Sequence, residues 1–194
     1  MRNSFSYLPL ASGLLVLVLA LGVAVLTVTS RNSSNQQAST TSQNVTTKAA
    51  EDVPSLSLSP AKANYTYTAG QSYTLGIILD SAGKTIDGVD VIINFDPTRA
   101  QVIDSKVNTA SLFEQYPLNS VDNTKGKIRF SGLTFNPKPV TGIIGTFRFQ
   151  SLGKGEVNFS FDFTLGATTD SNIAEHGSAK DVLGKVTNGT YFFK

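Results

Sequence analysis

A chain of 194 residues with a formal net charge of +2 has room for one ordinary domain plus appendages, and its interspersed charges leave no footprint for nucleic acid. It contains no cysteine, which excludes disulfides, thiolate metal sites and a cysteine nucleophile. It has a single histidine, His176, and no carboxylate pair in a recognisable frame, so the chain reads as non-catalytic and without a resident cofactor.

Residues 8–28 carry no charge. As a helix, twenty-one residues span roughly 31 Å, about the thickness of a bilayer's hydrocarbon core. A cleavable signal peptide needs a short apolar core followed by a small-x-small site. Thr27-Val28-Thr29 is a poor one and Ala20-Leu21-Gly22 lies too deep, so residues 1–29 read as a transmembrane anchor in preference to a removed signal segment. Residues 30–53 are rich in Ser, Thr, Asn and Gln without apolar periodicity. They predict a flexible tether, with a coil end-to-end distance on the order of 27 Å. The expected arrangement is a single-pass cell-membrane protein whose C-terminal domain, 54–194, is extracellular.

From Pro54 onward, short apolar runs alternate with Gly, Pro, Asn and Asp, the pattern of an all-β sandwich. Expected strands cover 55–59, 73–80, 86–95, 101–107, 127–133, 143–150, 157–163 and the closing run from Gly189. Residues 108–124 are looser, with room for one helical turn. Asn136-Pro137-Lys138-Pro139 predicts a rigid loop, and 166–180 reads as loop throughout.

The strand at 86–95 is the hub. A two-residue period puts Val89, Val91, Ile93 and Phe95 on one wholly apolar face and Asp90, Ile92 and Asn94 on the other. Asp96-Pro97 then ends the strand, because proline supplies no N–H for the ladder. The outward set is the candidate for a flat recognition patch, with Ile92 as an aliphatic anchor between hydrogen-bonding groups; the alternative is an isolated aliphatic packed under a loop. In the same way Lys127, Arg129 and Ser131 alternate with Ile128 and Phe130. Tyr65 and Tyr67 share a face and are the candidates for stacking a polysaccharide, although no tryptophan is present and an edge pair packing across strands explains them equally. Asp170, Asn172, Glu175 and Asp181 supply oxygen donors within a dozen residues and are the candidate calcium ligands.

Several pieces in order resemble the cohesin domain, the receptor half of the cohesin–dockerin pair. They are Phe95-Asp96-Pro97 with Val102 beyond, Gly126-Lys127-Ile128-Arg129-Phe130, Gly142-Ile143-Ile144-Gly145-Thr146-Phe147-Arg148-Phe149 and Asn188-Gly189-Thr190-Tyr191. Ala100 departs from the leucine frequent at that position. The resemblance covers roughly 55–194 and implies a nine-stranded jelly-roll sandwich without catalytic activity. It implies a dockerin-type protein partner that docks on Asp90, Ile92 and Asn94, and more loosely on Lys127, Arg129 and Ser131. A carbohydrate-binding module, or an adhesin domain with no discrete ligand, is the alternative.

Overall fold

The computed structural model describes residues 52–108 and 112–194. The expected membrane segment at 8–28 and the tether up to residue 51 lie outside the described residues.

Among the described residues there are ten strands and no helix: β1 (Ser55–Ser59), β2 (Lys62–Tyr65), β3 (Ser72–Phe95), β4 (Ala100–Val107), β5 (Gln115–Asp122), β6 (Lys127–Ser151), β7 (Gly155–Phe161), β8 (Asn172–Glu175), β9 (Lys185–Thr187) and β10 (Gly189–Phe193). β3 and β6 are antiparallel partners along both of their halves, with register breaks from Asp80 to Thr85 and from Ile86 to Gly88. Each therefore serves two sheets. In the first sheet, β9 and β1 border residues 72–80 of β3, which pair with the second half of β6, and β4 follows. In the second, β8 borders residues 86–90 of β3, which pairs with the first half of β6, and β5 forms the far edge. β7 joins β3 at Ile93–Phe95 and carries β10 and β2 beyond it.

Alternation explains the core. Leu75, Ile77 and Leu79 from one half of β3 and Val89, Val91, Ile93 and Phe95 from the other are all buried in a single cluster. Removing large apolar side chains from water is the main favourable term in folding. Phe159 of β7 ties the layers together, with its ring 5.4 Å from Phe95, 5.0 Å from Phe147 and 4.9 Å from Phe149. Ala100 is 1% exposed, so the smaller residue still fills a core position.

Three sequence expectations are corrected. Residues 115–122 form an edge strand where a loose or helical segment was expected; Pro117 sits at its register shift, where a missing N–H does no harm. Residues 172–175 pair with β3 as β8 and are not loop. Residues 136–139 belong to β6, with Pro139 opposite Thr85 and Lys138 opposite Ile86. The count of ten in place of nine arises because β2, β5, β8 and β9 are short or polar, while β3 and β6 each absorb two of the expected strands.

Candidate docking face

The outer side of the second sheet is set by strand parity. Asp90, Ile92 and Asn94 of β3 stand opposite Ser131, Arg129 and Lys127 of β6. Those face Leu118, Ser120 and Asp122 of β5, while Asn172 of β8 flanks Asp90. Asp90 and Arg129 are exposed, and Ile92, Asn94 and Lys127 are half-buried. All three residues expected on β3 and two of those on β6 thus share one four-stranded surface.

Ser131 differs from expectation. It is only 8% exposed, and its hydroxyl donates to the Asp90 carboxylate. It supports Asp90 from beneath and offers a partner almost no surface.

Ile92 lies where β7 and β8 part along the same edge of β3. Its carbonyl accepts the Asp162 N–H at 2.8 Å. The buried Ser171 hydroxyl fills the remaining gap, accepting the Ile92 N–H at 2.9 Å and donating to the Ile92 carbonyl at 3.1 Å. A side chain thereby replaces a missing strand neighbour, which keeps the backbone under Ile92 satisfied. At the other end of the face, Leu133 drapes over Gly88. A Cβ on Gly88 would fall 2.8 Å from Leu133 Cδ2 and 2.7 Å from the Gly132 carbonyl oxygen, so only glycine lets this end lie flat.

Charge is unevenly spread. Lys127 pairs with Asp162 at 3.3 Å and Lys125 with Asp122 at 3.8 Å. A hollow of about 190 Å³ is lined by Ser120, Asp122, Lys125, Lys127 and Arg129. The Lys125 N–H, helped by the Thr124 N–H and by the nearby cations, holds the Asp122 carboxyl below the usual carboxylate range. Among the described residues the Arg129 side chain forms no hydrogen bond or ion pair, and its charge acts on Asp122 only from a distance.

Beyond Leu133, β6 bulges: residues 134–137 fall in the register shift between Gly88 and Ile86 of β3. Phe135 is 68% exposed, and Leu133 and Leu118 are 42% and 39% exposed. Glu114 holds the bend: its carboxylate accepts the Phe135 N–H at 3.1 Å and the Asn136 side-chain amide at 3.2 Å. The Thr134 hydroxyl first, then these two groups, lowers the Glu114 pKa to about 2.

The other candidate sites resolve differently. The Tyr65 ring is half-buried against Tyr73 and Phe193, at 4.2 and 5.4 Å, and burial raises its pKa. Tyr67 also packs on the core. Both are rings at the core's edge and not an open platform. Of the calcium candidates, Glu175 bonds Lys84 and Ser178, and Asp181 accepts the N–H groups of Ile173 and Leu183. Asp170 accepts the Thr164 N–H, and Asn172 donates to the Asp170 carbonyl. Among the described residues, no three His, Asp or Glu side chains gather as a metal ion would need. His176 sits 2.6 Å from Asp87 in an exposed pair.

Sequence reading missed Leu118, Ser120 and Asp122, because the register shift at Pro117 breaks the apolar alternation of β5. A signal was available: Asp122-Asn123-Thr124-Lys125-Gly126 is a turn leading into a strand, and such a turn implies a hairpin partner before it.

No protein-family model matches the sequence, and no curated protein matches it. Solved structures do match. The third cohesin of ScaC, in complex with the ScaB dockerin from Acetivibrio cellulolyticus, has a TM-score of 0.58 at 14% identity, covering 73% of this chain and 99% of that one. The cohesin of OlpA with a dockerin, from Clostridium thermocellum, has a TM-score of 0.57 at 13% identity, covering 74% and 100%. A type II cohesin domain from the cellulosome of Acetivibrio cellulolyticus has a TM-score of 0.58 at 15% identity, covering 72% and 95%. The fold is the cohesin fold. Within this cohesin-like domain the sequence signature has a physical reason. Gly126 takes φ +62 and its carbonyl accepts the Phe95 N–H at 2.8 Å; a Cβ there would lie 1.9 Å from the Phe95 oxygen. The glycine is what lets the Asp-Pro corner close on the start of β6.

Proposed function

We propose that this chain is a non-catalytic, surface-displayed docking module. Its cohesin-like domain binds a dockerin-type protein through the outer face of β8, β3, β6 and β5. The membrane segment at 8–28 and the tether at 30–53 hold it outside the cell. The observation that carries this reading is the in-register face itself: Asp90, Ile92 and Asn94 beside Arg129 and Lys127, with Leu118 next to them. The face combines an aliphatic anchor, unpaired charge and a stiff backbone. Buried aliphatic or aromatic anchors ringed by polar groups are what give protein interfaces their affinity, and a preformed backbone lowers the entropic cost of binding. The fold neighbours solved in complex with dockerins support the class of partner.

The test is a binding panel of dockerin modules against the full chain and two variants, Ile92→Arg and Asp90→Lys. We expect at least one dockerin to bind, and each variant to lose tenfold or more in affinity at an unchanged melting temperature. Binding that both variants leave intact removes this face from the reading.

A further inference from the structure

We infer that the docking face selects a partner helix carrying an apolar side chain at one end and a carboxylate at the other. This rests on the docking reading above and names the chemistry of the partner it accepts.

One end of the face is an aromatic ledge. Phe135 and Leu133 are 68% and 42% exposed, and both lie on the strand that supplies Arg129 and Lys127. The ledge is preformed. Glu114 accepts hydrogen bonds from the Phe135 backbone and the Asn136 side chain, so the ring is presented from a fixed bend and not from a loose loop. A ring whose backbone is already fixed loses little entropy on binding.

The other end is a cationic hollow. Three cations and one carboxylate, together with Ser120, line it. Lys125 and Lys127 are answered by Asp122 and Asp162, and Arg129 is left over. Arg129 is close enough to help the Lys125 N–H lower the Asp122 pKa but forms no side-chain ion pair among the described residues. An exposed guanidinium in such a polar hollow fits a carboxylate through two parallel hydrogen bonds.

The spacing sets the register of a helical occupant. Arg129 and Leu133 are four residues apart on a regular stretch of β6, roughly 13 Å. A helix lying along the strand covers that distance in about nine residues. A helical occupant, as in the dockerin of a fold neighbour, which carries a C-terminal helix, then has an apolar residue over the Leu133–Phe135 ledge and an Asp or Glu some seven to nine positions away, over Arg129. Glu114 is a positioning residue, which acts by holding Phe135.

The experiment is a selection against the full chain from a yeast-displayed library. The library combines dockerin modules with 18-residue helical peptides randomised along one face. The binders are then retested on Phe135→Ala, Glu114→Ala, Arg129→Glu and Ile92→Arg. We expect enrichment of an apolar residue and an acidic residue at the stated spacing. Affinity should fall tenfold or more with Phe135→Ala and with Arg129→Glu, and replacing the binder's acidic residue by Lys should restore binding to Arg129→Glu. Glu114→Ala should weaken binding in the wild-type background and have no further effect once Phe135 is Ala; a merely structural role would weaken both. Binders that respond to Ile92→Arg but ignore Phe135 and Arg129 overturn this inference and leave the docking reading standing. Binders indifferent to Ile92→Arg as well, or no binders, overturn both. Self-association of the full chain abolished by Phe135→Ala would assign the ledge to a second copy and overturn the inference.

Discussion

Glu114 lies at the surface, yet its carboxylate collects donors from Thr134, Phe135 and Asn136, and its pKa falls to about 2. That value is below the ordinary glutamate value of about 4.3. The stabilisation it brings is therefore complete above about pH 4.3 and is lost as the pH falls toward about 2. A carboxyl-carbon NMR titration should give a Glu114 midpoint near 2, and the resonances of Phe135 and Asn136 should shift with it. A midpoint near 4 would show that the bend is not held this way. Two other residues give equally direct tests. Gly126→Ala forces a Cβ toward the Phe95 oxygen at positive φ, and denaturant unfolding should show a loss of at least ~2 kcal/mol. The Tyr191 hydroxyl donates to the Pro60 carbonyl at 2.6 Å from a ring that is fully buried. Tyr191→Phe keeps the packing and should cost about 1 kcal/mol by the same measurement.

At the scale of elements, the sandwich holds because β7 brings Phe159 between the two layers. Phe159→Ala opens a cavity that neither layer can close alone, and should cost about 3–5 kcal/mol in a denaturant melt. A loss below ~1 kcal/mol would mean that the layers are not joined through this ring. The same scale shows what sequence alone could reveal. β3 was legible because Val89, Val91, Ile93 and Phe95 alternate strictly, and one buried face fixes the register of such a strand. The outward set Asp90, Ile92 and Asn94 follows from that parity. β5 and β8 were not legible. Gln115–Asp122 breaks its alternation at Pro117, so Tyr116 and Val121, which pack on the core, fall out of a two-residue period, and β8 has four residues of which only Ile173 is fully buried. Ser131 was misread because parity gives direction and not cover: its side chain points outward but sits under Asp90. Phe135 and Glu114 escaped because their link is a bond across the bend at Thr134–Asn136, which no sequence period encodes.

For the whole molecule, the two sheets divide the labour. The first sheet carries the Asp104–Arg148 pair, in which Arg148 Nη2 and Nε reach the carboxylate at 2.6 and 2.9 Å, beside the exposed Ile103 and Ile143. The second keeps an outer face whose side chains are partly unpaired. A docking module needs a rigid scaffold and a surface with unspent hydrogen-bonding and apolar capacity, which the second sheet combines at Asp90, Ile92, Arg129 and Leu118. No helix among the described residues is long and apolar enough to cross a membrane, so attachment through residues 8–28 is tested separately, by carbonate extraction of membranes bearing the full chain. Retention in the pellet is expected, with release on deletion of 8–28. The most direct test of the docking face is hydrogen–deuterium exchange of the full chain with and without a saturating dockerin module. Slowed exchange should be concentrated in residues 88–94, 115–122 and 127–135. Protection confined to β1, β4 and residues 142–150 of β6 would place the partner on the opposite sheet and contradict the proposal.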